Sequence, residues 1–188
     1  MKLIAGLGNP GPEYAFSRHN IGWLVLDHLV ERCSCGASRL QFSSMAWTLF
    51  RDGKKLLLLK PLTYMNLSGT ALRQATEYYD IPWDQVLVVF DDVALPFAKL
   101  RMRKKGSAGG HNGMASVLGA AKTLEVPRLR VGVGAKPGGG NLAPWVLGAF
   151  SRDERERLPA LLDEAVAAVE TWCLSGIDRA MNEINGLE

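Results

Sequence analysis

The sequence predicts an α/β protein: a three-layer α/β/α sandwich on a twisted mixed sheet, formed as a single domain over residues 1–188. Three observations carry this expectation. Strand-like apolar runs alternate with amphipathic helical stretches along the chain. Val86 to Phe90 is a continuous β-branched and apolar run, the pattern of a strand covered on both faces. Arg51-Asp52-Gly53 separates two further strand-like runs, and its Asp-Gly step favours a hairpin, so the sheet is not purely parallel.

In chain order, Leu3 to Leu7 reads as a strand ended by the turn residues Gly8-Asn9-Pro10-Gly11. Ile21, Leu24, Val25 and Leu29 recur on one helical face, with Asn20 placed as N-cap. Ala46 to Phe50 and Lys55 to Lys60 are the hairpin strands. A helix carrying Ala71, Leu72, Ala75 and Tyr79 follows and stops near Pro82. The covered strand ends in Asp91-Asp92. Lys99 to Arg103 alternates strictly, with Leu100 and Met102 inward and a basic outer face. Gly106 to Gly110 is a loop, and Met114, Val117, Leu118 and Ala121 mark a helix from about 113 to 124. Leu129 to Val133 is a strand. Ser151 and Glu154 form a capping-box pattern opening a long helical region that Pro159 is expected to kink or divide.

Composition is ordinary for a folded domain: 47% hydrophobic, 22% charged and a net charge of +3. Three cysteines with no framework spacing argue against a secreted disulfide scaffold and read as free thiols in a cytoplasmic protein. No signal peptide and no apolar run of membrane-spanning length is visible. Gly6-Leu7-Gly8-Asn9-Pro10-Gly11 satisfies the dinucleotide-binding pattern, but the helix that should open within the turn starts only near Ile21, and the acidic candidate Asp27 falls inside that helical segment and not at the end of the next strand of a βαβ unit. A nucleotide cofactor is therefore not expected.

The chemistry-bearing residues fall in turns at element ends. His28 reads as an ordinary helix-face histidine. His19 and His111 each sit before a helix and each precede an asparagine; they are either turn and capping residues or members of a site. Asp91, at the end of the covered strand, is cast as the acceptor for one ring N–H of His19. It would leave the other nitrogen free to take a proton from water. Asp91 and Asp92 together also admit a metal reading, against which adjacent strand residues normally point to opposite sides. Asn9, Asn66 and Asn112 can orient water or receive an oxyanion. With no Ser in a nucleophile elbow and no activated Cys, direct attack by water is favoured over a covalent intermediate. Arg101, Arg103, Lys104, Lys105, Arg128 and Arg130 form basic strand faces suited to phosphate, or else a charged sheet edge.

These residues lie in motifs that match a known family in order: Gly6–Gly11 with Tyr14 and Arg18-His19-Asn20; Lys60-Pro61 through Tyr64-Met65-Asn66-Leu67-Ser68-Gly69; Asp91-Asp92; Gly106 through His111-Asn112-Gly113; and Arg128 through Gly134. The chain resembles the bacterial peptidyl-tRNA hydrolases over essentially its whole length. That resemblance implies an esterase acting on peptidyl-tRNA through its acceptor arm and 3′ end, in translation quality control. It implies a monomer that needs no metal or organic cofactor. It implies His19 as catalytic base, Asp91 as its support and Asn9 as the group sensing a blocked amino terminus. Tyr14, Tyr64, Met65, Asn66, His111 and Asn112 would face substrate, and Arg103 and Arg130 would clamp tRNA phosphates. Ala94, Phe97-Ala98 and Ala135 depart from the family pattern, all outside the catalytic set. The rival expectation is a non-catalytic RNA-binding relative, which would need the basic faces but not the polar set.

Overall fold

The computed structural model describes residues 1–186. Seven strands form one mixed sheet in the order β2-β3-β4-β1-β5-β7-β6. They are β1 (Lys2–Gly6), β2 (Arg39–Gln41), β3 (Ser44–Arg51), β4 (Lys54–Pro61), β5 (Val86–Asp92), β6 (Leu100–Arg103) and β7 (Arg128–Gly132). The inner strands β4, β1, β5 and β7 run parallel, and antiparallel strands complete both edges. The helices are α1 (Ile21–Arg32), α2 (Ser68–Tyr79), α3 (Asn112–Ala121), α4 (Ala143–Leu147), α5 (Arg152–Ser175) and α6 (Ile177–Asn185).

Alternation along the inner strands divides the core in two. Ile4, Leu58, Leu87 and Val89 pack with α1 and α5 on one face, and Leu3, Ala5, Leu57, Leu59, Val86 and Val88 pack with α2 and α3 on the other. That is the expected three-layer sandwich. β5 is buried from Val86 through Asp91, as a doubly covered strand should be. The Asp52-Gly53 hairpin forms with both residues at positive φ, 48° and 73°. Asn185 of α6 bonds both main-chain groups of Met102, closing part of the β6 edge.

Several boundaries differ from expectation for local reasons. Pro159 lies inside an unbroken α5, and the division comes at Gly176, whose φ is 86°. α3 ends at Ala121 rather than 124 because Lys122 adopts a left-handed conformation that returns its N–H to Leu118. Asn20 makes no capping bond at α1; its side chain is used elsewhere. The short β2 and α4 carry too few residues for periodicity to reveal them.

The misleading glycine pattern has a packing explanation. A Cβ on Gly6 would stand 2.2 Å from the carbonyl oxygen of Gly22, and one on Gly22 would stand 2.3 Å from that of Val89. These two glycines let α1 lie directly on β1 and β5, which carries the segment before α1 over the strand ends. Gly22→Ala is expected to cost about 1–3 kcal/mol through forced separation of helix and sheet, read by chemical denaturation. An unchanged midpoint would show that the contact is not tight.

Candidate active site

Ligands of open α/β sheets gather beyond the carboxyl ends of the parallel strands. Here the segments after β1, β4, β5 and β7 all contribute to one cavity of about 1160 Å³. Its lining includes Asn9, His19, Tyr64, Met65, Asn66, Asp91, His111, Asn112, Arg103 and Arg130. Ten of the eleven residues singled out from the sequence thus meet in one place; the exception, Tyr14, is half-buried on the 3-10 turn Pro12–Tyr14 and does not line it.

His19 lies on a 3-10 turn, Arg18–Asn20, that leads into α1. Its Nδ1 stands 2.8 Å from Asp91 Oδ1. A carboxylate accepts, so Nδ1 carries the ring proton and Nε2 is left unprotonated toward the cavity. His111 Nε2 lies 2.8 Å from the same oxygen, while its Nδ1 accepts the Met114 N–H at 3.1 Å and caps α3. His111 therefore caps a helix through one nitrogen and meets Asp91 through the other. Its hydrogen bond to Asp91, 20 residues upstream, has no sequence signal.

Burial of Asp91, which is 2% exposed, would by itself raise its pKa. The charge and hydrogen bond of His111, followed by those of His19, outweigh burial and hold the carboxyl well below the ordinary carboxylate range. Asp92 points elsewhere: Oδ1 accepts from Ala94 N–H at 2.8 Å and Oδ2 pairs with Arg130. The two carboxylates are thus directed to different partners. His19, Asp91 and His111 offer three atoms within 4.8 Å of one another, but at 2.8 Å from Oδ1 each imidazole is spaced as a hydrogen-bond donor. Two ligands on one tetrahedral zinc stand about 3.3 Å apart.

Asn9 is 7% exposed and held on three sides. Its Oδ1 accepts from Met65 N–H at 2.8 Å, its main-chain N–H donates to Asn20 Oδ1 at 2.8 Å, and its carbonyl accepts from Asn20 Nδ2 at 3.0 Å. Asn20 thus fixes the turn instead of capping α1. With Oδ1 held by the Met65 N–H, the Asn9 amide has its N–H donors to offer to the cavity it lines. Asn112 begins α3, so the positive end of that helix opens on the same space.

The basic face is narrower than its sequence. Arg128 and Arg130 stand opposite Arg103 and Arg101 across β7 and β6. Arg128 is 2% exposed and donates to the carbonyls of Gly106, Ser107, Leu124 and Val126. It secures the glycine loop and is withdrawn from the phosphate-binding set. Burial, with Arg130 nearby, pushes its pKa down to about 10. Arg130 is tied to Asp92, whereas Arg103 has no ion-pair partner among the described residues.

Fold and site together define an α/β protein with a histidine–carboxylate pair in a carboxamide-lined cavity, a set of groups that suits a hydrolase. The peptidyl-tRNA hydrolase family model matches residues 3–188. Peptidyl-tRNA hydrolases of Caldanaerobacter subterraneus and Bacillus subtilis are 45% and 42% identical over 186 and 185 residues, covering 98% or more of both chains in each pair. The crystal structure of peptidyl-tRNA hydrolase from Acinetobacter baumannii is 30% identical with a TM-score of 0.91, covering 98% of this chain and 94% of that one. The chain belongs to the peptidyl-tRNA hydrolase family.

Proposed function

We propose that this chain cleaves the ester between a peptide and the 3′ end of tRNA, with His19 as general base and Asp91 as its orienting partner. The observation that carries this reading is the 2.8 Å contact between His19 Nδ1 and Asp91, which leaves Nε2 to the cavity. Neutral His19 takes a proton from water as the water oxygen attacks the ester carbonyl. The carbonyl becomes an oxyanion, collapses, and expels the ribose oxygen, which recovers the proton from the imidazolium. Asn9, reduced to a donor by Met65, is suited to the carbonyl oxygen. Asn66, on the cavity wall beside Met65, is suited to hold the water. No step draws on a metal or organic cofactor. The substrate reaches the protein in the cytoplasm, and no helix among the described residues is long and apolar enough to cross a membrane.

The test is release of the acyl group from N-blocked and unblocked aminoacyl-tRNA. Wild type is expected to cleave the blocked ester, and Asn9→Ala to lose roughly 10²–10³-fold in kcat, the value of one oxyanion donor. Binding without cleavage by wild type would favour the RNA-binding rival.

Arg103 and Arg130 are assigned to tRNA phosphates. Two such contacts give a slope of about −2 in log affinity against log salt, or roughly tenfold weaker binding between 50 and 200 mM. Arg103→Ala should remove about one unit of that slope. Arg130→Ala should remove less, because Asp92 already neutralises that guanidinium. Salt-independent binding would discard the phosphate assignment.

A further inference from the structure

Arg18 precedes His19 and is 5% exposed, yet it has no part in the chemistry above. Its Nη1 donates to Ala149 O at 2.8 Å and more weakly to Gly148 O at 3.5 Å. Its Nη2 pairs with Glu154 Oε2 at 2.7 Å. The guanidinium lies 3.7 Å from the centroid of the Trp145 ring, and the Arg18 main-chain N–H donates to Gly148 O at 3.1 Å. Every one of these partners lies between α4 and the first turn of α5.

α4 contains five residues, none of them buried, so it contributes little to holding itself in place. Leu142, Val146 and Leu147 nevertheless form an apolar wall of the cavity. Besides Arg18, this segment is attached by the Trp145 Nε1 bond to Gly134 O at 3.0 Å, by the Ser17–Ala149 bridge and, past the end of α4, by Phe150, which is buried in the core against Phe97. A planar guanidinium that forks onto carbonyls, pairs with a carboxylate and stacks on an indole fixes direction as well as distance.

We propose that Arg18 is a positioning residue that bolts this apolar wall to the turn carrying His19, and so sets substrate affinity. The inference rests on the function proposed above. The wall lies against parts of the substrate that do not change during hydrolysis, so loosening it removes binding common to ground and transition states. That raises KM and spares kcat.

Glu154 allows the bolt to be separated from helix stability. Its Oε2 also accepts from Ser151 N–H at 2.6 Å, while Ser151 Oγ accepts from Glu154 N–H, completing the capping box of α5. Glu154→Gln retains an oxygen for the Ser151 N–H but discards the charge that holds Arg18. Ser151→Ala removes the hydroxyl cap and leaves the Arg18–Glu154 pair.

The experiment is steady-state hydrolysis of peptidyl-tRNA by the full-length wild type, Arg18→Gln, Glu154→Gln and Ser151→Ala, with thermal melting of each. Both Gln variants are expected to raise KM roughly tenfold, about the value of two buried methylene contacts, with kcat within about twofold. Ser151→Ala is expected to melt lower with KM unchanged. The proposal is overturned if both Gln variants keep the wild-type KM, or if Ser151→Ala raises KM as much as they do. Should Arg18→Gln fail to fold, Glu154→Gln decides alone. No turnover by wild type would instead overturn the proposed function, and this inference with it.

Discussion

His19→Ala is expected to lower kcat on peptidyl-tRNA by about 10²–10⁴-fold, the range of general-base assistance, and to leave KM within a few-fold of wild type. The split follows from geometry. His19 turns Nε2 to the cavity, whereas His111 uses one nitrogen on Asp91 and the other on Met114. His111 therefore cannot substitute without giving up the cap of α3. The surfaces assigned to binding, from Tyr64 to Asn66 and the Arg103–Arg130 face, do not depend on His19. Asp91 keeps its bond to His111 in the variant, so the strand end stays ordered. The pH profile adds an independent check. Asp91 is held ionised far below the ordinary carboxylate range, so activity lost between about pH 7 and 5 does not report this carboxylate. A variant with near wild-type turnover would remove His19 from the base role.

The sequence exposed most of the scaffold because its strongest signals are local. The covered run Val86 to Phe90, the Asp52-Gly53 hairpin and the Ser151–Glu154 capping box each act within a few residues, and each forms as expected. The pairing of His19 with Asp91 was legible as chemistry, from a histidine in a turn and an acid at a strand end. What stayed hidden depends on partners distant in sequence. Asn20 looks like an N-cap until Asn9 offers its backbone 11 residues upstream. Arg128 looks like a partner of Arg130 on an open face until four loop and strand-end carbonyls close round it. Arg18 reads as one more basic residue, and only the arrival of the 143–154 segment makes it a clamp. In each case local pattern predicts how the backbone turns, and tertiary approach decides which polar group the side chain finds.

Asp91→Asn should affect both rate and stability, with different pH signatures. For the rate, the carboxamide that replaces the carboxylate can offer either oxygen or nitrogen to His19. Where it donates, the ring proton moves to Nε2 and the base is lost, so a fall of up to about 10⁴ in kcat is expected even with the fold intact. For stability, two imidazole N–H groups lose a charged acceptor shared at 2.8 Å, a loss of about 2–4 kcal/mol at neutral pH. The sign of the pH dependence follows from the depressed pKa. A carboxyl held below its unfolded value of about 3.9 contributes stability that is fully present above that value and is lost as pH falls through its lower folded value. The contribution of the Asp91 carboxylate to the stability gap between wild type and Asp91→Asn is therefore complete above about pH 4, and the gap should narrow as pH falls below that value. Denaturation midpoints on either side of that value measure it. A gap that failed to narrow below about pH 4 would mean that the imidazole partners do not hold Asp91 ionised in the folded protein.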